Sequence, residues 1–425
     1  MGATFHRALT RRGLMLAGAG AAVVVGTPGK AGHGDPIHRL PVRVGTWAAA
    51  PTAVPAGKVL TLTGQTVRQV VHTSIGGDLP RVTLSNAYGA GPVRIGAASI
   101  GVRSGTGPST DTVRARTRPL TFGGATEVVL QPGHAVTSDH ADLIVEHGAD
   151  LVISLYLPEG TQAGTISPRS KQTNLIVNGD ATAVDRPGTG RRITRYLWLS
   201  GVSVRTVRNA SAIVALGDSI TCGTETTDNS NHRWPDLLSA RLRAGAAPCP
   251  RGVLNVGLSG NRLLFGYEDP TGRADEKALI GAATLRRFDR DVLAQPGVRY
   301  VVTLIGVNDL ANAPDVTVGQ LIAGHRILIA QARSAGLTVY GGTLLPFGGA
   351  PQRYNNAANR AKRQELNDWI RGSGEYDAVI DFDAAVRDPA APTRMQVRYD
   401  SGDGLHPNDL GSAALAMAVP LELFG

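Results

Sequence analysis

The sequence predicts an α/β domain built on a parallel sheet, preceded by an all-β domain of the sandwich or jelly-roll kind. Three observations carry this. From residue 211 onward, short continuous apolar runs alternate with segments of helical periodicity, the pattern of strand–helix–strand units. From residue 40 to residue 206 the apolar positions tend to alternate with polar ones, and Gly, Pro, Asn and Asp clusters separate the runs, as in antiparallel sheets. At 425 residues with 42% hydrophobic content, the chain is long enough to build two cores.

The elements follow in order. Thr10-Arg11-Arg12-Gly13-Leu14-Met15 precedes a run of small and apolar residues to Val25, and Gly29-Lys30-Ala31 offers a cleavage site. A charged start, a short apolar middle and small residues make a twin-arginine-type export signal over residues 1–31, so the expected location is outside the cell. The apolar run is too short to span a bilayer comfortably, and no other stretch resembles a transmembrane helix.

The all-β domain is expected over residues 40–206. Its strands include Thr66–Thr73, Arg81–Ser85, Val93–Ile95, Thr126–Leu130, Asp150–Tyr156 and a last one, Tyr196–Val204. His72, His134, His140 and His147 lack ligand spacing and read as structural or surface histidines, and no catalytic cluster is visible here. The boundary should fall near Val207 to Ser211, which leaves residues 211–425 for the α/β domain. Its strands are expected at Ile213–Leu216, Val253–Val256, Tyr300–Ile305, Thr338–Thr343 and Ala378–Phe382. Helices are expected at His232–Arg243, Leu279–Leu293, Val318–Ala335, Asn356–Arg371 and Asn408–Leu423.

Lys+Arg 43 against Asp+Glu 34 gives a net charge of +9, but the basic residues are scattered. Without a polybasic run interleaved with aromatics, nucleic acid is not an expected partner. The two cysteines should stay free. Cys222 belongs at the C-terminal end of the sheet and Cys249 at the other end, about 17–20 Å away, whereas a disulfide needs Cα atoms within about 7 Å.

Four blocks stand at or after predicted strand ends: Gly217-Asp218-Ser219-Ile220, Ser259-Gly260-Asn261, Gly306-Val307-Asn308-Asp309, and Asp403-Gly404-Leu405-His406-Pro407. Each is weak alone; Ser219 by itself reads as a turn residue, and Asp403 with His406 as a surface turn. In this order they resemble the SGNH (GDSL-type) hydrolases, which are esterases, lipases and carbohydrate deacetylases, over roughly Ala212 to Phe424. Ile220 departs from the Leu of the family name. The resemblance implies a five-stranded, flavodoxin-like arrangement, with the site at the strand C-termini.

The chemistry fits the residue types. A serine hydroxyl needs a base within hydrogen-bond reach, and an imidazole supplies one near neutral pH. Ser219 is the expected nucleophile, His406 the base, and Asp403 the group that fixes the ring tautomer. The resemblance implies three oxyanion donors: the backbone N–H groups of Ser219 and Gly260 and the side-chain amide of Asn308. Asp218 and Asp309 are expected to tie loops together. No metal or cofactor is expected.

The reading is a secreted serine esterase acting on O-acetyl or short acyl esters, with acylated polysaccharide or lipid as partner. One alternative is a lipase or phospholipase of the same family. The other, of a different class, is a non-catalytic glycan- or envelope-binding protein on the same fold.

Overall fold

The computed structural model describes residues 41–55, 57–245, 249–267 and 277–425. The export signal expected over residues 1–31 lies outside them.

Five parallel strands form one sheet in the order Arg251–Asn255, Ser211–Gly217, Val298–Leu304, Thr338–Gly342, Ala378–Ile380. In chain order this is 2-1-3-4-5, the flavodoxin-like order. Every residue of the first strand is buried, as its unbroken apolar run requires. The connection from the first strand runs one way and the later connections run the other. Right-handed crossovers therefore put their helices on opposite faces. The packing agrees: Trp234–Ala244 lies against Asp409–Ala418, and Val318–Ser334 against Ala357–Gly372. Local sequence starts these helices. Thr317 and Gln320 form a capping box, Asn356 caps through Asn359 N–H, and Asn408 caps through Gly411 N–H.

The N-terminal part is rich in antiparallel sheet. Five strands form one sheet, with Val42–Ala48, Leu199–Thr206, Gly77–Ser85 and Ala135–Thr137 in sequence across it and Ile144–Val145 also on Gly77–Ser85. Six form another: Arg191–Ile193, Asn174–Asn178, Gln65–His72, Asp150–Leu157, Ala97–Arg103, Thr112–Pro119. Three of the singleton histidines have mundane partners. His72 Nδ1 meets Asp150 Oδ1 at 2.7 Å, His134 Nδ1 meets the Pro132 carbonyl at 2.8 Å, and His147 Nε2 meets Ser239 Oγ at 3.4 Å.

Three expected elements are interrupted, one of them the helix expected over Asn408–Leu423, which ends at Ala418 before Pro420 and gives way to a 3₁₀ turn over Leu421–Phe424. The strand expected over Tyr196–Val204 is two, Arg195–Leu197 and Leu199–Thr206, because Trp198 between them takes a left-handed conformation, φ 57°. The helix expected over Leu279–Leu293 is three pieces. A 3₁₀ turn, Lys277–Ile280, ends at Gly281 with φ 70°, and Thr284–Phe288 then runs into a π turn, Asp289–Leu293. Both cysteines are free, Cys222 buried and Cys249 half-buried. Burial raises the Cys222 thiol pKa, which makes it a poor target for reagents.

Apolar residues from both parts form one continuous core. Where the parts meet, backbone touches backbone. Gly45 N–H donates to the Pro296 carbonyl at 2.8 Å, and Val253 N–H donates to Ser74 Oγ at 2.8 Å. A Cβ on Gly252 would fall on the Gly45 carbonyl oxygen, well inside contact distance. Val42–Ala48 thereby covers Arg251–Asn255, the outer strand of the parallel sheet, and protects an edge otherwise open to mispairing. Gly252→Val should destabilise the protein by about 1–3 kcal/mol through overpacking. Gly91→Ala, where a Cβ meets nothing within 4 Å, should stay within about 0.5 kcal/mol of wild type. Equal unfolding midpoints in urea for all three proteins would refute the close contact.

Candidate active site

The first strand ends at Gly217, where a Cβ would crowd the Leu304 carbonyl of the neighbouring strand. Asp218 then caps a single helical turn, Ser219–Cys222, its Oδ1 accepting the Ile220 N–H at 3.0 Å, and Gly223 closes the turn with φ 82°. This fixes Ser219 at the strand's C-terminal end, on the crevice side where strand order reverses. Ser219 Oγ lies 2.8 Å from His406 Nε2, and His406 Nδ1 lies 2.6 Å from Asp403 Oδ2. The other Asp403 oxygen accepts the N–H groups of Leu405 and His406 at 2.9 and 2.8 Å. Burial pushes the Asp403 pKa up, but bonds from the His406 ring and these two N–H groups outweigh it and hold the carboxylate below its usual range. Asp403 therefore stays ionised beside the imidazole, which favours a proton on Nδ1 and leaves Nε2 free to accept from the hydroxyl.

The second group of residues is held by a buried network. Asn261 donates to the Ile280 and Ala282 carbonyls at 2.7 and 2.8 Å, and its Oδ1 accepts from Thr284 Oγ1 at 2.7 Å and Arg287 Nε at 2.9 Å. This shapes the turn that carries Gly260, whose φ of 77° suits glycine. Asp309 fastens the same turn from the third strand's side, accepting Leu263 N–H at 2.8 Å and Leu264 N–H at 3.0 Å. Asn308 Nδ2 donates to the Asn261 carbonyl at 3.1 Å, and Asn308 Oδ1 accepts from the Tyr354 hydroxyl at 2.9 Å. Tyr354 thus decides which way the amide faces. The sequence pointed to neither Tyr354 nor Arg287; Asn261 stood in a quoted block without an assigned role.

Ser219, Gly260, Asn308 and His406 line one cavity of about 590 Å³. Its wall also includes Val54, Lys58, Ile166, Arg169, Thr194 and Arg195, so the sheet-rich N-terminal part borders the candidate site. Glu225 brings a carboxylate within 4.8 Å of the facing atoms of Asp403 and His406. Both ring nitrogens of His406 are already engaged, by Asp403 and Ser219, so this group belongs to the arrangement above.

Two carboxyls behind the site are held toward their protonated forms. Burial raises Asp218 to about 7, against the Ile220 N–H and His406, and its Oδ2 has no partner. Burial raises Asp309 to about 6, against its two N–H donors. A neutral Asp218 keeps a full negative charge from standing one residue behind the Ser219 N–H.

Two predictions follow from this geometry. Tyr354→Phe should lower kcat several-fold by freeing the Asn308 amide, whereas Asn308→Ala should cost about a hundredfold or more; equal losses would contradict the ordering. The second concerns stability. An unfolded aspartate titrates near about 3.9, so between about pH 4 and 7 the folded protein holds a proton at Asp218 that unfolding releases. Stability therefore falls as pH rises through that window. In Asp218→Asn that part of the slope, up to about one proton, should vanish. Parallel melting-temperature curves for variant and wild type across the window would refute it.

Residues 215–414 match the model of the GDSL-like Lipase/Acylhydrolase family. Among curated proteins no match was found. Similar solved structures include a lipase/acylhydrolase from Enterococcus faecalis at 21% identity and TM-score 0.39, covering 51% of this chain and 96% of that one. The native aryl esterase of M. smegmatis gives 18% and 0.38, covering 49% and 95%. A carbohydrate acetylesterase from Sinorhizobium meliloti gives 17% and 0.37, again covering 49% and 95%. With four sequence blocks gathered at one end of a 2-1-3-4-5 sheet, residues 215–414 are a domain of the GDSL-like lipase/acylhydrolase family, and the chain is an enzyme of the esterase/acylhydrolase class.

Proposed function

We propose that the protein is a secreted serine esterase that hydrolyses O-acetyl or short acyl esters of polar alcohols, including acylated polysaccharide. The observation that carries this reading is the unbroken chain from Ser219 Oγ through the His406 ring to Asp403, at 2.8 and 2.6 Å. In the proposed reaction Ser219 Oγ attacks the ester carbonyl carbon as His406 Nε2 takes its proton. The oxygen that gains charge is met by Ser219 N–H, Gly260 N–H and Asn308 Nδ2. The carbon–oxygen bond to the alcohol then breaks, and His406 returns the proton to the leaving oxygen. Water, activated by the same ring, releases the acid and restores Ser219.

The cavity lining supports a polar alcohol and a short acyl group over a lipid. Apart from Tyr354, its apolar side chains are Val54, Pro55, Ile166, Pro168, Leu279 and Ile280, and charged and polar groups fill the rest. Among the described residues no helix is long and apolar enough to cross a membrane. Secretion rests on the twin-arginine pattern at Arg11 and Arg12. The sheets of residues 40–206 are read as a sandwich domain that accompanies the 211–425 hydrolase domain.

One experiment tests the whole reading. Protein recovered from culture medium, with an N-terminus near residue 32 by intact mass, should hydrolyse aryl acetates and acetylated xylan faster than long-chain esters. An organophosphonate should add to Ser219, and Ser219→Ala should lose turnover while melting as wild type does. An adduct on another serine would reject the assignment.

A further inference from the structure

We propose that the cavity selects esters that carry a negative charge, as carboxylate or phosphate, and that the N-terminal sheets supply the selection. This deepens the esterase reading and rests on it.

Besides the buried Arg262, which donates to the Gly266 carbonyl, four cations stand on the cavity wall. Lys58, Arg169 and Arg195 come from the N-terminal part, and Arg353 follows the fourth strand of the parallel sheet. Lys58, Arg169 and Arg353 are exposed and Arg195 is half-buried. Among the described residues no ion pair joins any of the four to a carboxylate. Elsewhere among the described residues some surface cations are paired and others, such as Arg191 and Arg192, are not, so what sets these four apart is their gathering in one concavity. Lys171, two residues from Arg169, pairs with Asp228 at 2.7 Å; Arg205 pairs with Asp78, and Arg326 with Glu375. Among the described residues the acid on the wall is Glu225, and its carboxylate sits beside Asp403 and His406.

Gathering like charges in one concavity raises the energy of the empty site. A neutral ester gives nothing back for it. An anionic ester does, because a concave wall of one sign focuses the field and raises the local concentration of the opposite charge. Three of the four groups are guanidinium, whose planar fork fits the two oxygens of a carboxylate or phosphate. On this reading the sheet-rich part is half of the substrate site, although it holds none of the residues placed in the reaction.

The test uses the full secreted chain and four acetates that differ in charge: methyl 4-acetoxybenzoate, 4-acetoxybenzoate, 4-acetoxyphenyl phosphate and 4-acetoxy-N,N,N-trimethylanilinium. Each kcat/KM is normalised to the ester's own hydroxide-catalysed rate. At low ionic strength at least one anionic ester should exceed the neutral one by about tenfold or more, with the cation lowest. High salt should erase the difference, since the screening length falls to about 3 Å at 1 M. The larger of the two anionic rates tells a carboxylate from a phosphate recogniser. In the Arg169→Gln, Arg195→Gln double variant the anionic-to-neutral ratio should fall toward one, while exposed Arg114→Gln, outside the cavity, should keep the wild-type ratio. Anionic and neutral esters turned over alike by wild type, or a ratio indifferent to the double variant, would overturn the proposal. Failure to hydrolyse any of the four would instead reject the esterase reading beneath it.

Discussion

The fully buried guanidinium of Arg287 is the interaction on which the rest of the site depends. It donates to the Gly217 carbonyl at the end of the first strand at 3.1 Å and to the Val256 carbonyl just past the second at 2.8 Å. It also reaches Asn261 Oδ1 at 2.9 Å and Asp291 Oδ2 at 3.0 Å. One side chain thus ties together two strand ends and the turn that carries Gly260. Asp291 balances its charge from one helical turn on, in the π turn that follows. Breaking such a buried pair by removing one partner costs about 3–5 kcal/mol, so the link is strong as well as central. From Asn261 the bonds run on to Asn308 and from there to Tyr354. The positions of Gly260 and of the Asn308 amide, proposed above as oxyanion donors, are set by this relay, not by the strands alone.

The parts of the site that could be read from the sequence are those whose position follows from local chain geometry. A parallel strand delivers whatever follows it to the same end of the sheet, so Ser219, Gly260 and Asn308 could be grouped once their strands were recognised. His406 and Asp403 lie three residues apart in a turn that bonds to itself, which is again local. Tyr354, Arg287 and the basic groups on the cavity wall are different. Tyr354 reaches Asn308 across 46 residues, and Arg287 reaches Gly217 across 70. Nothing in their own neighbourhoods marks those pairings. An Arg in an amphipathic segment reads as surface, yet Arg287 is among the largest fully buried side chains. Two of the interrupted elements fail for a related reason. Periodicity follows side-chain polarity, whereas the breaks at Trp198 and Gly281 are backbone events that polarity does not report.

The electrostatics of the site are layered by distance from solvent. Asp403, with 43% of its side chain exposed, stays ionised because it is well hydrogen-bonded. Asp218 and Asp309, fully buried, are pushed toward neutrality by the absence of water. The same residue type therefore serves as a fixed charge at the rim and as a group held toward its protonated form behind Ser219. Neither behaviour is visible in composition, because both depend on depth.

The close approach of Gly45 and Gly252 has a kinetic consequence. Two backbones in contact, with a shared core on both sides, leave no plane along which the N-terminal sheets could slide or swing away from the parallel sheet. Hinge closure between regions, with its microsecond-to-millisecond cycle, is then not the step that admits substrate. Among the described residues, the long basic side chains at the cavity mouth can change rotamer in about picoseconds to nanoseconds. Turnover would then include no interval spent waiting for the N-terminal sheets and the parallel sheet to close on each other.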